Sequence, residues 1–119
     1  HSFPTRRSSD LRLAGNQERR ASHILINAPN TASAAERDKA RSRATALLAE
    51  VRKAPASFAD VARKNSQDTG SAARGGDLDF FSRGAMVKPF EEAAFALKKG
   101  ETSGLVETEF GFHVIMRTE

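Results

Sequence analysis

Two periods organise the apolar positions of this chain. The run A-S-H-I-L-I from Ala21 to Ile26 is short, apolar and β-branched at two positions, which predicts a strand. Alternation sets His23 and Leu25 on one face and Ser22, Ile24 and Ile26 on the other. The turn signal N-A-P-N follows at 27–30. From about Ser33 to Lys53 the period lengthens to that of a helix, with Ala40, Ala44, Leu47, Leu48 and Val51 as its stripe and most charges off it. Pro55 ends this helix. Ser57 opens a second, short helix with Asp60 three residues on, a weak capping box, and Phe58, Val61 and Ala62 as its inward face. The stretch N-S-Q-D-T-G-S-A-A-R-G-G from Asn65 to Gly76 reads as loop.

Leu78, Phe80 and Phe81 make a brief extended piece. A third helix starts at Pro89, whose fixed φ suits a first turn, and carries Phe90, Ala93, Ala94 and Leu97 inward. Lys98 and Lys99 then favour its C-terminus and Gly100 offers a left-handed cap. Residues 101–104 read as a turn, Leu105 and Val106 as a short strand, and 107–109 as a reversal. The run F-G-F-H-V-I-M-R from Phe110 to Arg117 is the clearest strand, with His113 on the face of Ile115 and Arg117. The order is that of an α+β domain whose small antiparallel sheet carries helices on its faces.

Composition narrows the chemistry. A chain of 119 residues supports one domain with a modest core. It has no cysteine, so disulfides, thiolate nucleophiles and thiolate metal sites are excluded. No apolar run approaches the ~18 residues of a membrane span, so the domain is expected to make no membrane contact. Nor does any stretch read as a secretory signal. Residues 1–18 read as an extraneous or disordered tail and 19–119 as the domain. Residues 1–20 hold five arginines against Asp10 and Glu18, whereas the rest holds 14 basic and 13 acidic residues. The folded part lacks the basic excess of a nucleic-acid binder. Binding through the arginine tail would be salt-sensitive and would vanish with residues 1–20.

Candidate chemistry is sparse. His23 and His113 lie in strands, where a histidine is usually a hydrogen-bonded structural residue, and two in one small sheet suggest a shared polar network. Two histidines without a third ligand make a poor metal site, and no metal or cofactor is expected. No G-x-S-x-G elbow supports a serine nucleophile. Gly75-Gly76 lacks the continuation of a phosphate loop and reads as a turn, with Asp77 capping local backbone. Met86 and Phe90, four apart around a proline, could line a small apolar pocket; spacing alone favours core.

The segments S-F-A-D-V-A (57–62), S-Q-D-T-G-S-A (66–72), R-G-G-D-L (74–78), M-V-K-P-F-E-E-A-A-F-A-L (86–97) and T-E-F-G-F-H-V-I (108–115), together with A-S-H-I-L-I, occur in an order that resembles the parvulin-type peptidyl-prolyl cis/trans isomerases. The flavour is that of bacterial SurA- and PpiD-like folding factors. The resemblance implies a four-stranded antiparallel sheet surrounded by helices in a parvulin (FKBP-like) fold. It implies rotation of X–Pro bonds in unfolded or partly folded client polypeptides. A non-catalytic chaperone or peptide-binding module is the alternative, to be separated by a protease-coupled proline assay. A periplasmic or cell-envelope location is implied, with a membrane anchor in a longer parent as an option.

By the same resemblance His23, His113 and Asp68 form the polar cluster under the substrate, with Thr69 the competing alignment to Asp68. Leu78, Met86 and Phe90 form the proline pocket, and Phe110 narrows one wall. The loop from Asn27 to Ala34 carries no charge, so no phosphate on the residue before proline is expected to be required. Asp79 stands where the family commonly has Gly, which marks the local backbone as unusual.

Overall fold

A computed structural model describes residues 18–119. The elements run β1 (Glu18–Asn27), α1 (Ala34–Lys53), a 3₁₀ turn (Pro55–Ser57), α2 (Phe58–Asn65), α3 (Thr69–Ala72), β2 (Asp77–Ser82), α4 (Lys88–Ala96), β3 (Val106–Thr108) and β4 (Gly111–Arg117). The strands form one antiparallel sheet in the order β2-β1-β4-β3. In the central pair His23 faces Ile115 and Leu25 faces His113, so the two histidines are diagonal neighbours.

Alternation along β1 and β4 feeds two cores. Ile24, Ile26, Phe112 and Val114 pack on α1 and α2 through Ala44, Leu47, Val51, Phe58 and Val61. On the opposite face Ala21 and Ile115 pack with Phe81, Phe90, Ala94 and Phe95. The site sits on this second face, where α4 covers only part of the sheet.

Several local expectations change. The strand β1 begins at Glu18, three residues before the predicted start and inside the segment assigned to the tail; residues 1–17 lie outside the described residues. A reciprocal capping box does open a helix, but it is Ser33–Glu36 at α1. Ser57 makes no such cap, because its hydroxyl donates back to the Ala54 carbonyl at 2.6 Å. The predicted loop 65–76 contains α3. Helix α4 stops at Ala96, and Leu97 is extended. Gly100 has φ +85° but caps no helix; its N–H donates to the Arg117 carbonyl at 2.7 Å. The predicted turn 101–104 instead runs beside β4, with Arg117 N–H on Glu101 O and Ser103 N–H on Ile115 O. Pairing with β4 outcompetes the local cap because it satisfies more backbone groups.

Candidate functional site

The outer edge of β1 has two partners. Strand β2 pairs with it from Glu18 to Ser22, and the register shifts beyond Arg20. Past that point the 66–76 segment takes over. His23 N–H donates to Gly76 O at 2.9 Å and Gln67 N–H to Leu25 O at 2.7 Å. Leu25 N–H donates to Ser66 Oγ at 3.1 Å and Asn27 N–H to Gln67 Oε1 at 2.6 Å. This zipper sets Asp68, not Thr69, against His23.

Gly76 permits the approach. Its φ is +86°, and a Cβ there would lie 2.4 Å from the His23 carbonyl oxygen. The Gly75-Gly76 pair is thus a turn, as read from the sequence, and also the seat of His23. Asp77 caps the Asp79 N–H at 3.0 Å, and it accepts Arg20 Nε–H and Nη2–H side-on along one guanidinium edge at 3.1 and 2.7 Å. That pairing lowers the Asp77 pKa and raises that of Arg20. Asp79, where the family commonly has Gly, adopts φ +63°.

All four imidazole nitrogens of the pair are engaged. His23 Nε2 lies 2.7 Å from Asp68 Oδ2, and His23 Nδ1 lies 3.1 Å from His113 Nδ1. His113 Nε2 lies 2.8 Å from Thr108 Oγ1. Ser71 Oγ donates to Asp68 Oδ2 at 2.7 Å. The rings stack with centroids 5.3 Å apart. Phe90 stands edge-on to both, its centroid 5.5 Å from His23 and 5.3 Å from His113.

Burial sets the protonation. It lowers the His23 pKa against the opposing pull of Asp68. It pushes His113 down to about 4, with the neighbouring His23 adding to the effect. For Asp68 burial works against the charge, yet hydrogen bonds from Ser71 and His23 outweigh it and hold the carboxyl below its usual value. Two neutral imidazoles and an ionised carboxylate admit one consistent order of donors. Thr108 O–H donates to His113 Nε2, His113 Nδ1–H to His23 Nδ1, and His23 Nε2–H to Asp68.

Above this chain opens a mostly apolar cleft of about 700 Å³. His23, Asp68, His113, Leu78, Met86, Phe90 and Phe110, the seven residues singled out from sequence, all line it. Leu25, Asn27, Pro29, Ala85 and Val87 complete it. Phe90 belongs both to the core and to the cleft wall, being 3% exposed. Phe110 is 52% exposed at the rim, the one exposed large hydrophobic among the described residues. Among them, no cluster of three or more His, Cys, Asp or Glu is arranged to hold a metal ion. Sequence reasoning missed Thr108 and Ser71. Thr108 was visible in T-E-F-G-F-H, but its partner depends on the β3–β4 turn; Ser71 depends on α3.

Comparison with known proteins points one way. The family profile of the PPIC-type PPIase domain matches residues 7–119. The chain is 47% identical over 112 residues to the peptidyl-prolyl cis-trans isomerase Pin1 of Digitalis lanata, covering 83% of this chain and 94% of that one. It is 43% identical over 100 residues to the foldase protein PrsA of Staphylococcus aureus, covering 82% of this chain but only 31% of PrsA. The peptidyl-prolyl isomerase ESS1 from Candida albicans superposes with a TM-score of 0.76 at 32% identity, over 93% of this chain and 72% of that one.

Proposed function

The chain belongs to the PPIC-type, or parvulin, family of peptidyl-prolyl cis/trans isomerases, and from that premise we propose how its cleft turns X–Pro bonds in unfolded or partly folded polypeptides. The observation that carries the reading is the meeting of an apolar cleft with a histidine pair whose four nitrogens are already bonded.

Resonance flattens the peptide C–N bond and resists rotation by ~18–20 kcal/mol. Twisting it requires no bond to be made, only surroundings that favour the twisted amide over the planar one. Leu78, Met86 and Phe90 grip the proline ring and exclude water. The planar amide is the more polar form, so losing water destabilises it more than the twisted form. His23, His113 and Asp68 fix the floor and its polarity. Neither histidine has a free nitrogen for attack or proton abstraction, so we assign them no nucleophilic role.

No phosphate is required in this reading. Asp68 carries the one formal charge among the described cleft-lining residues, and it is negative. The loop before α1 is uncharged to Ala34. The working unit is residues 19–119, with Glu18 added as the start of β1. The likeness to the foldase PrsA supports folding clients. Likeness to SurA-like chaperones of Campylobacter jejuni, one of them described as periplasmic, supports a periplasmic or cell-envelope location, which fractionation of the source cells would check. No helix among the described residues is long and apolar enough to cross a membrane.

The test uses a matched pair of peptides, Ala-Pro and phospho-Ser-Pro, in a protease-coupled assay. Faster turnover of Ala-Pro supports the proposal. A strong preference for phospho-Ser-Pro overturns the substrate assignment. Binding without catalysis of either peptide makes the domain a peptide-holding module.

A further inference from the structure

Arg37 lies in the first turn of α1, outside the cleft lining, yet its guanidinium ties together the two segments at one end of the cleft. It donates to the Ala28 carbonyl at 3.2 Å and the Pro29 carbonyl at 3.3 Å. It pairs with the Glu107 carboxylate on β3. It also lies over the Phe112 ring, 5.8 Å from the centroid. The Arg37 side chain is 21% exposed, so these contacts are partly shielded from water. The loop it holds supplies Pro29 to the cleft, directly after Asn27 at the end of β1, and the strand leads through Thr108 to Phe110. The two segments meet directly at one hydrogen bond, Ala28 N–H to Phe110 O at 3.0 Å.

We propose that Arg37 is a positioning residue that sets the spacing between Pro29 and Phe110, the rim that receives polypeptide flanking the proline. This rests on the reading of the cleft as a prolyl site. On the floor, Asp68 is braced from the 66–76 segment, away from Arg37, and Thr108 keeps its own bond to His113, so the rim is the part that depends most on Arg37. A fork of donors is needed because the acceptors are two neighbouring carbonyls and a carboxylate on another strand. Lysine presents a compact charge with no fixed fork and holds the carboxylate at the expense of the carbonyls.

The test follows the labelled full chain by NMR while titrating two unphosphorylated peptides, a capped Ala-Pro dipeptide and the same dipeptide extended on both sides. Arg37→Ala is expected to weaken the extended peptide about five- to tenfold more than the dipeptide, in keeping with lost hydrogen bonds to a charged group. Arg37→Lys recovers part of that difference. Glu107→Gln gives a smaller shift in the same sense and carries the comparison if Arg37→Ala fails to fold. Equal weakening of both peptides, or no weakening, overturns the proposal, since a general loss of structure makes no such distinction. Cis/trans exchange in the wild-type samples is read at the same time. Its absence contradicts the catalytic reading, while the affinity difference still decides the role of Arg37.

Discussion

Thr108 has one hydroxyl proton and, in this site, one place to direct it: His113 Nε2 at 2.8 Å. The same oxygen accepts the Phe110 N–H at 3.1 Å, so both its capacities are used. Thr108→Val leaves a buried imidazole nitrogen without its donor, and we expect a stability loss of about 1–3 kcal/mol, with Thr108→Ser near wild type. Denaturant unfolding of the three proteins checks this. The histidines make a second prediction. Their folded pKa values lie below the unfolded value, so the unfolded chain binds more protons in between. Their stability contribution is therefore complete above about pH 6.5 and is lost as pH falls below it, for His113 as far as about pH 4. For His113 the loss is up to roughly 3 kcal/mol. Unfolding midpoints should fall steadily from pH 7 to pH 5; a flat profile would mean the imidazoles are not buried neutral. At this scale alternation placed each histidine on a face of its own strand, and the β1–β4 register brings those two faces together. The resemblance added Asp68 and the pocket. The roles of Thr108, Ser71 and Arg37 were illegible because each depends on a partner far along the chain or across a turn.

Among the elements, the 66–76 segment does the most to build the site from an unremarkable composition. Its backbone completes the edge of β1 that β2 leaves open, and Gly76 lies against His23 with no room for a Cβ. Gly76→Ala combines a positive φ with a 2.4 Å backbone clash, and we expect a loss of at least about 2 kcal/mol. The His23 and His113 ring resonances should shift in whatever fraction stays folded. Unchanged stability and unshifted rings would mean that this segment does not seat His23. Sequence reading found the glycine pair and its turn but not the strand edge beneath it, because edge pairing is a non-local event. The same limit explains the C-terminal half. Gly100 reads as a helix cap from local signals, and the sheet claims it instead.

For the whole molecule the division of labour follows from the sheet. One face is closed by α1 and α2 and is ordinary core. The other is covered by α4 only in part, so Phe90 serves as core on one side and as cleft wall on the other. Spacing alone could not separate those roles, since both need a large apolar residue at the same helical position. The central claim is that an apolar grip over a neutral, fully bonded histidine pair lets a prolyl amide rotate. The most direct measurement is NMR exchange between the cis and trans forms of an unphosphorylated Ala-Pro peptide, with wild type and with Phe90→Leu. Leucine is chosen over Phe90→Ala, which would remove about 3–5 kcal/mol of core packing. The account predicts accelerated exchange with wild type and a drop of about tenfold or more, equivalent to about 1.4 kcal/mol of transition-state stabilisation, in a folded Phe90→Leu protein. Full activity in that variant, or no acceleration by wild type, would contradict it.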